Sequence, residues 1–235
     1  LTAYFGLFIA MPLLNAAINH VSKKQLSNFL AAVIIFFALM PSILQSDPYK
    51  LSFGYSMAWL CILYVLGGFI KRYNVFSSVG KIKALIVYML CILITWGSKV
   101  IIVKVTFNTY GETRYDNTLV QYTSPTIIIA AIALLIFFSK LEFRFTWTKK
   151  LISLFASASL GVYIIHENYL IRTYYIQDYA KSFTASSAIM MAIKVILAAS
   201  AIYFVCSVIE TVRIRLFKAL RINKLIECVD KKGLL

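Results

Sequence analysis

Polar side chains interrupt one apolar run of the sequence at residues 161–172, GVYIIHENYLIR. His166, Glu167 and Asn168 stand in a row there, and Arg172 closes the run. An imidazole exchanges protons near neutral pH, and carboxylate and guanidinium groups can position the polar groups of a substrate. A bilayer makes such side chains costly unless they face protein or water. The run therefore raises two possibilities, a polar pocket or a set of side chains at the membrane surface.

Helical spacing relates these residues to one another. Asn168 and Arg172 are four residues apart and are expected on one face of a helix, where they could bind sugar hydroxyls or a charged group. His166 is expected on another face, stacked with Tyr163 and Tyr169 at three-residue spacing. The same helix is thin just upstream, at ASASLG (156–161), so that a neighbouring helix can approach closely.

Both interpretations of the polar residues stay open at this stage. In one, His166 and Glu167 are interfacial and solvated by headgroups and water. In the other, they line an outward-facing pocket, with His166 as proton carrier or hydrogen-bond donor and Glu167 or Arg172 positioning a substrate. Lys194, in the next apolar run, is either a partner for Glu167 or a lysine that snorkels to the surface.

The composition identifies the class of protein that carries this run. Of 235 residues, 61% are hydrophobic and only 14% are charged, and the mean hydropathy is +0.81. Soluble domains are about 45–50% apolar and about 25% charged. The net charge of +15 does not indicate nucleic-acid binding, because the basic residues lie in short clusters between apolar runs, as membrane topology requires.

No metal site is predicted from the cysteines and histidines. Four cysteines show no C-x-x-C pairing, and the two histidines, His20 and His166, have no zinc-ligand spacing. Three of the cysteines lie inside apolar runs and are expected to pack as small hydrophobic residues.

Seven apolar segments predict an all-α, polytopic transmembrane helical bundle with about seven spans. They cover approximately residues 2–18, 26–44, 53–70, 82–97, 125–139, 151–171 and 188–209. Most approach the roughly 20 residues that a helix needs to cross a bilayer. Residues 98–124 are expected to form the longest outer loop.

The basic residues predict the orientation of these spans. Seventeen lysines and arginines fall in one set of alternate connections, at 23–24, 71–83, 140–150 and 213–232, and six fall in the other set, at 50, 99–114 and 172–181. The positive-inside rule places the first set in the cytoplasm. The amino terminus of the chain is then outside and the carboxyl terminus inside. Residues 212–235 are expected to form a basic amphipathic cytoplasmic tail on the inner leaflet.

Four stretches in order resemble family 3 of the membrane acyltransferases, the bacterial polysaccharide O-acyltransferases. They are AYFGLFIAMPLLN (Tyr4, Pro12, Asn15), WLCILYVLGGFIKR (Trp59, Tyr64, Gly67, Gly68), YIIHENYLIR (Tyr163, His166, Glu167, Asn168, Arg172) and IETVRIRLFK (Glu210, Arg213, Phe217). Together the resemblance runs from about residue 3 to 218.

The resemblance implies a transmembrane acyltransferase domain over residues 1–211 and a multi-pass protein of the bacterial inner membrane. It implies transfer of an acyl group, usually acetyl from acetyl-CoA, to a hydroxyl of a polysaccharide or lipid-linked sugar, without a metal. His166 is the catalytic candidate on this chain, and the substrate-binding candidates are Tyr163, Glu167, Asn168 and Arg172. The expected partners are the sugar acceptor and membrane lipids, and no nucleic acid.

The chain departs from the family pattern at its start. Family members typically have ten transmembrane helices, and the residues regarded as catalytic lie in the first three. The sequence therefore resembles the carboxyl-terminal part of such an enzyme, and this chain alone is expected to transfer no acetyl group. The alternatives are a non-enzymatic protein of polysaccharide export or an inactive remnant.

Overall fold

The computed structural model describes residues 2–115 and 117–220, and these residues form helices joined by turns, with no strand among them. The predicted all-α fold is confirmed. Each of the seven predicted apolar segments corresponds to one long helix. These helices are α1 (Thr2–His20), α2 (Lys23–Leu44), α3 (Met57–Tyr73), α4 (Lys81–Tyr110), α5 (Pro125–Ser139), α6 (Thr146–His166) and α7 (Ala188–Ala219).

Local sequence explains where several of these helices begin and end. Ser22 caps α2 in a capping box with Gln25, and the Ser56 hydroxyl accepts a hydrogen bond from the Trp59 N–H at the start of α3. Gly111 ends α4 in the left-handed conformation, with φ of 72°. Inside α2, the turn Ile35–Leu39 is π-helical. Pro41 follows it and has no N–H to donate back along the helix, which accounts for an irregular turn at this point.

Five of the seven helices are long and apolar enough to cross a membrane, namely α1, α2, α4, α6 and α7. The other two are shorter, with 17 residues in α3 and 15 in α5. The chain is therefore a multi-pass membrane protein by the length and composition of its helices.

Three predicted boundaries differ from the structure. Helix α4 continues to Tyr110, so the expected outer loop from residue 98 is shorter than predicted because VIIVKVTF belongs to the helix. Helix α7 extends past residue 209 to Ala219, and the rest of the predicted tail lies outside the described residues. Helix α6 ends at His166, five residues before the predicted limit.

The chain divides into two compact units, Leu1–Glu142 and Phe143–Leu235. In the first unit, α1 and α3 lie side by side. The Tyr64 hydroxyl donates to Asn15 Oδ1 at 2.8 Å, and Gly68 lies against Ile18. Arg72 donates to the Ile18 carbonyl at the end of α1, which satisfies an acceptor that the helix itself leaves free.

Directions alternate along the first three helices. Contacts between α1 and α3 advance together, from Gly6 beside Met57 to Ile18 beside Gly68. Because α2 leaves the end of α1 and α3 begins beside Gly6, α2 must run back along both. A buried cluster around Trp59, which is 1% exposed, includes Ala38 of α2 and Ile128 of α5.

The second unit is built on the contact of α6 with α7. The Phe155 and Tyr203 rings lie 5.9 Å apart, Ala158 packs in one cluster with Cys206, and Gly161 lies against Glu210. These pairs advance in the same direction along both helices, so α6 and α7 run in the same sense through their interface. The predicted topology needs consecutive spans to alternate, and this pair does not follow that alternation.

Candidate functional site

The candidate site lies where α6 ends. The Glu167 N–H still donates to the Tyr163 carbonyl at 3.1 Å, but Asn168 leaves the helical conformation, with φ of −58° and ψ of 130°. A single α-helical turn, Tyr169–Ile171, and a π-helical turn, Arg172–Ile176, follow. The polar residues of GVYIIHENYLIR therefore surround a helix break, and the predicted continuous helix through residue 171 is wrong.

His166 is held at the last position of α6. Its Nδ1 lies 2.8 Å from the Val162 carbonyl oxygen, which can only accept a hydrogen bond. Nδ1 therefore carries the proton in the neutral ring, and Nε2 is left with a free lone pair. The edge of the ring meets Tyr163, with centroids 5.7 Å apart and planes at 76°.

Glu167 bridges His166 and Arg172. Its Oε1 lies 3.7 Å from His166 Nε2, and its Oε2 accepts a hydrogen bond from Arg172 Nη1 at 3.2 Å. The carboxylate can stabilise an imidazolium that forms when Nε2 takes a proton. We call Tyr163, His166, Glu167 and Arg172 the His166 cluster.

Asn168 stands apart from this cluster. Its Oδ1 accepts a hydrogen bond from the Leu170 N–H at 3.1 Å and so caps the short turn that follows. Arg172 instead reaches back to Glu167. The expected common face of Asn168 and Arg172 is therefore not formed, because the chain bends between Glu167 and Tyr169.

The predicted stacking of Tyr169 on His166 is not formed, and of the two alternatives for Lys194 the pairing with Glu167 is not formed. Tyr169 lies beyond the break and is 76% exposed, so Tyr163 is the aromatic neighbour of His166. Lys194 does not pair with Glu167; its Nζ donates to Ser186 Oγ at 2.7 Å and lies over the Phe183 ring.

The cluster remains accessible in the second unit. The side chains of His166, Glu167 and Arg172 are 34%, 40% and 64% exposed. A substrate hydroxyl could therefore approach Nε2, and the arrangement can accept a proton and hold a polar or anionic group beside it.

The second unit contains another polar group, Glu210 with Arg213. The sequence indicates it only through the stretch IETVRIRLFK that resembles the family. Glu210 of α7 is 4% exposed and accepts two hydrogen bonds from Arg213, at 2.7 Å from Nε and 2.5 Å from Nη2. Gly161 of α6 packs against this carboxylate. The signal was present, since a glutamate and an arginine three apart in a long apolar helix are expected to pair. The glycine opposite them could be found only from the packing.

The acidic, cysteine and histidine side chains within residues 2–115 and 117–220 form no group of three or more that could hold a metal ion.

Comparison with known proteins identifies the chain. The model of the acyltransferase domain, family 3, matches residues 1–211. No curated protein and no solved structure matches the chain. The matched range contains α1 to α6, the His166 cluster and most of α7. The chain belongs to family 3 of the acyltransferases.

Proposed function

We propose that the His166 cluster serves transfer of an acetyl group from acetyl-CoA to a hydroxyl of a polysaccharide or lipid-linked sugar. The observation that supports this most directly is the orientation of His166. Its Nδ1 is bound to a backbone carbonyl, and its Nε2 faces a carboxylate and remains reachable from outside the helix pair.

The chemistry of this transfer requires a proton acceptor. The acceptor hydroxyl oxygen attacks the thioester carbonyl carbon, a C–O bond forms and the C–S bond breaks. His166 Nε2 takes the hydroxyl proton, and the departing thiolate of coenzyme A later receives it. Glu167 stabilises the imidazolium between these two events. A general base of this kind increases the reaction rate by about 10²–10⁴-fold.

The other residues of the site bind the acceptor in this proposal. Arg172 offers the guanidinium donors that Glu167 does not use, and Asn168 offers its side-chain N–H groups, since its Oδ1 is occupied by Leu170. Tyr163 offers an aromatic face and a hydroxyl next to His166. Such groups suit the hydroxyls of a sugar.

For localisation, we propose the bacterial inner membrane, with residue 50 outside and residues 71–83 in the cytoplasm. The distribution of lysine and arginine supports this orientation. Single cysteines at positions 50 and 83 test it in the first unit: the first should react with an impermeant thiol reagent added outside cells, and the second only after lysis. The reverse pattern would overturn the orientation.

The test of the proposed function is acetyl transfer by the full-length protein carrying His166→Ala. Turnover should fall by roughly 10²-fold or more at equal protein level in the membrane. His20→Ala is the matched control and should keep wild-type turnover, because His20 lies at the end of α1 in the other unit. If His166→Ala inserts normally and retains full activity, the proposed function of this cluster is wrong.

A further inference from the structure

The only charged residue among the buried side chains of the described chain is Glu210, at 4% exposure. It lies within α7, away from the His166 cluster in sequence, and the proposed reaction does not use it. A buried carboxylate is costly unless it is paired and hydrogen-bonded. Arg213, one turn further along α7, supplies both hydrogen bonds, and its guanidinium lies 4.8 Å from the centre of the Phe217 ring.

The paired carboxylate is pressed against the backbone of α6. A Cβ atom built on Gly161 would lie 2.0 Å from Glu210 Cδ and 2.3 Å from Oε2. Atoms in ordinary van der Waals contact are more than 3.4 Å apart, so any side chain at position 161 forces the helices apart or displaces the carboxylate. Gly161 therefore lets α6 pack directly against the Glu210 side chain, which Arg213 holds through two hydrogen bonds. We call these three residues the Gly161 lock.

The lock is adjacent in the chain to the group that orients His166. Val162 follows Gly161, is 6% exposed, and packs in one cluster with Ala158 and Cys206. Its carbonyl oxygen is the acceptor for His166 Nδ1. A displacement of α6 at Gly161 therefore moves the carbonyl that fixes the orientation and tautomer of the imidazole.

We propose that Glu210, Arg213 and Gly161 are positioning residues for His166. The inference rests on the proposed function for its catalytic consequence, but its structural part is independent of that function. The contact holds Val162 in place, and Val162 holds the imidazole with Nε2 directed to Glu167. Displacement of a reacting group by about 1 Å can lower a reaction rate about 10²-fold. We expect a decrease in turnover of this size when the Gly161 lock is disrupted.

The first measurement is of the His166 imidazole ring. The two imidazole ¹⁵N resonances of His166 are recorded in full-length protein in lipid bilayers and are assigned by their loss in His166→Gln. In the wild type, Nδ1 should carry the proton. Gly161→Ala should move both resonances toward those of a histidine free in water, and turnover should fall about 10²-fold.

A second-site change tests the contact directly. Glu210→Ala removes the same contact from the side of α7, so it should displace the ¹⁵N resonances of His166 and lower turnover as Gly161→Ala does. Gly97→Ala is the matched control, because a Cβ at Gly97 of α4 meets nothing within 4 Å. It should leave both readouts unchanged.

Each outcome decides one of the two proposals. Unchanged His166 resonances in a folded Gly161→Ala protein would overturn the positioning role, whatever the activity. Displaced resonances with wild-type turnover would keep the positioning role and overturn the proposed function instead. If Gly161→Ala does not insert, Glu210→Ala decides, because it removes the contact without adding an atom to α6. Wild-type resonances in that variant would overturn the positioning role.

Discussion

The two units of the chain use polar residues between helices in different ways. In the first unit, polar groups meet in the helix interfaces and satisfy one another, as Tyr64 does with Asn15 and Arg72 does with the Ile18 carbonyl. In the second unit, the Glu210 carboxylate is buried and pairs with Arg213, whose side chain is half-exposed, while the His166 cluster stays open at the end of α6.

This difference separates polar residues that hold a bundle together from those available for chemistry. The first unit buries Trp59 in a cluster formed by several helices. Among its described residues, the second unit has one small cluster, around Ala158, and the side chains of His166, Glu167 and Arg172 are at least one-third exposed. We expect substitutions in the first unit to act on stability and substitutions in the His166 cluster to act on turnover.

The largest expected effect is on cross-linking between α6 and α7 of the second unit, which depends on the direction of α7. Ile164 and Ile214 line the same groove between α6 and α7, so cysteines at these two positions should be joined by a short bismaleimide in a background without other cysteines. The matched control pairs Ile164→Cys with Ser200→Cys. If the helices run in the same sense, that second pair is separated by about 20 Å along the helix axes and should not react.

Joining of the 164–200 pair but not of the 164–214 pair would mean that α6 and α7 are antiparallel, as the distribution of basic residues predicts. Joining of the 164–214 pair would instead place the Arg213 end of α7 beside the His166 end of α6. One of the two ends would then lie on the other side of the membrane from its charge-based prediction.

The next largest effect is expected at Trp59. Trp59→Ala should lower the free energy of unfolding by about 3–5 kcal/mol, because it empties the centre of the buried cluster. Trp96→Ala is the control: this tryptophan is 68% exposed, and the change should be within about 0.5 kcal/mol. Denaturant unfolding in detergent micelles measures both, and equal losses would contradict the difference in burial.

At Arg172 the effect should be smaller and should appear in binding. Arg172→Ala removes a donor next to Glu167 and should raise the acceptor KM about tenfold while kcat changes little, since binding is weakened more than the chemical step. Steady-state transfer at varied acceptor concentration separates the two constants. A fall in kcat at unchanged KM would assign Arg172 to the reaction itself.

The smallest effect concerns the Asn15–Tyr64 hydrogen bond. A double-mutant cycle with Asn15→Ala and Tyr64→Phe should give a coupling energy of about 0.6 kcal/mol, the average for such contacts between membrane helices. Acetyl transfer by Tyr64→Phe should stay near the wild-type value at equal protein level. A loss comparable to that of His166→Ala would show that the first unit also takes part in the chemistry.

Much of the fold followed from hydrophobic runs and capping residues. All seven helices were predicted, and α5 agrees at both ends, since Pro125 begins it and the apolar run stops at Ser139. The end of α4 differs from the prediction because Lys99 and Lys104 lie in the helix, and lysine is compatible with a helix that leaves the bilayer. The relative direction of α6 and α7 depends on packing, which the charge pattern does not encode.

The site was predictable as a set of residues and less so as a geometry. His166, Glu167, Arg172 and Tyr163 do come together, whereas Asn168 and Lys194 have other partners. The helix break after His166 was missed because the apolar pattern continues through Tyr169, Leu170 and Ile171. The Gly161 lock joins residues 49 positions apart, and no local pattern relates them.

The proton-accepting role of His166 can be tested most directly by chemical rescue. Full-length His166→Ala protein in membranes would be assayed for acetyl transfer from acetyl-CoA to a hydroxyl acceptor at increasing imidazole concentration, with His20→Ala in parallel. Because His166 is about one-third exposed, free imidazole should enter the space that the side chain leaves. Turnover should then rise in proportion to the concentration of neutral imidazole, while turnover of His20→Ala should not change. Loss of activity without any rescue, by imidazole or by smaller amines, would contradict a base at this position, and so would full activity without imidazole.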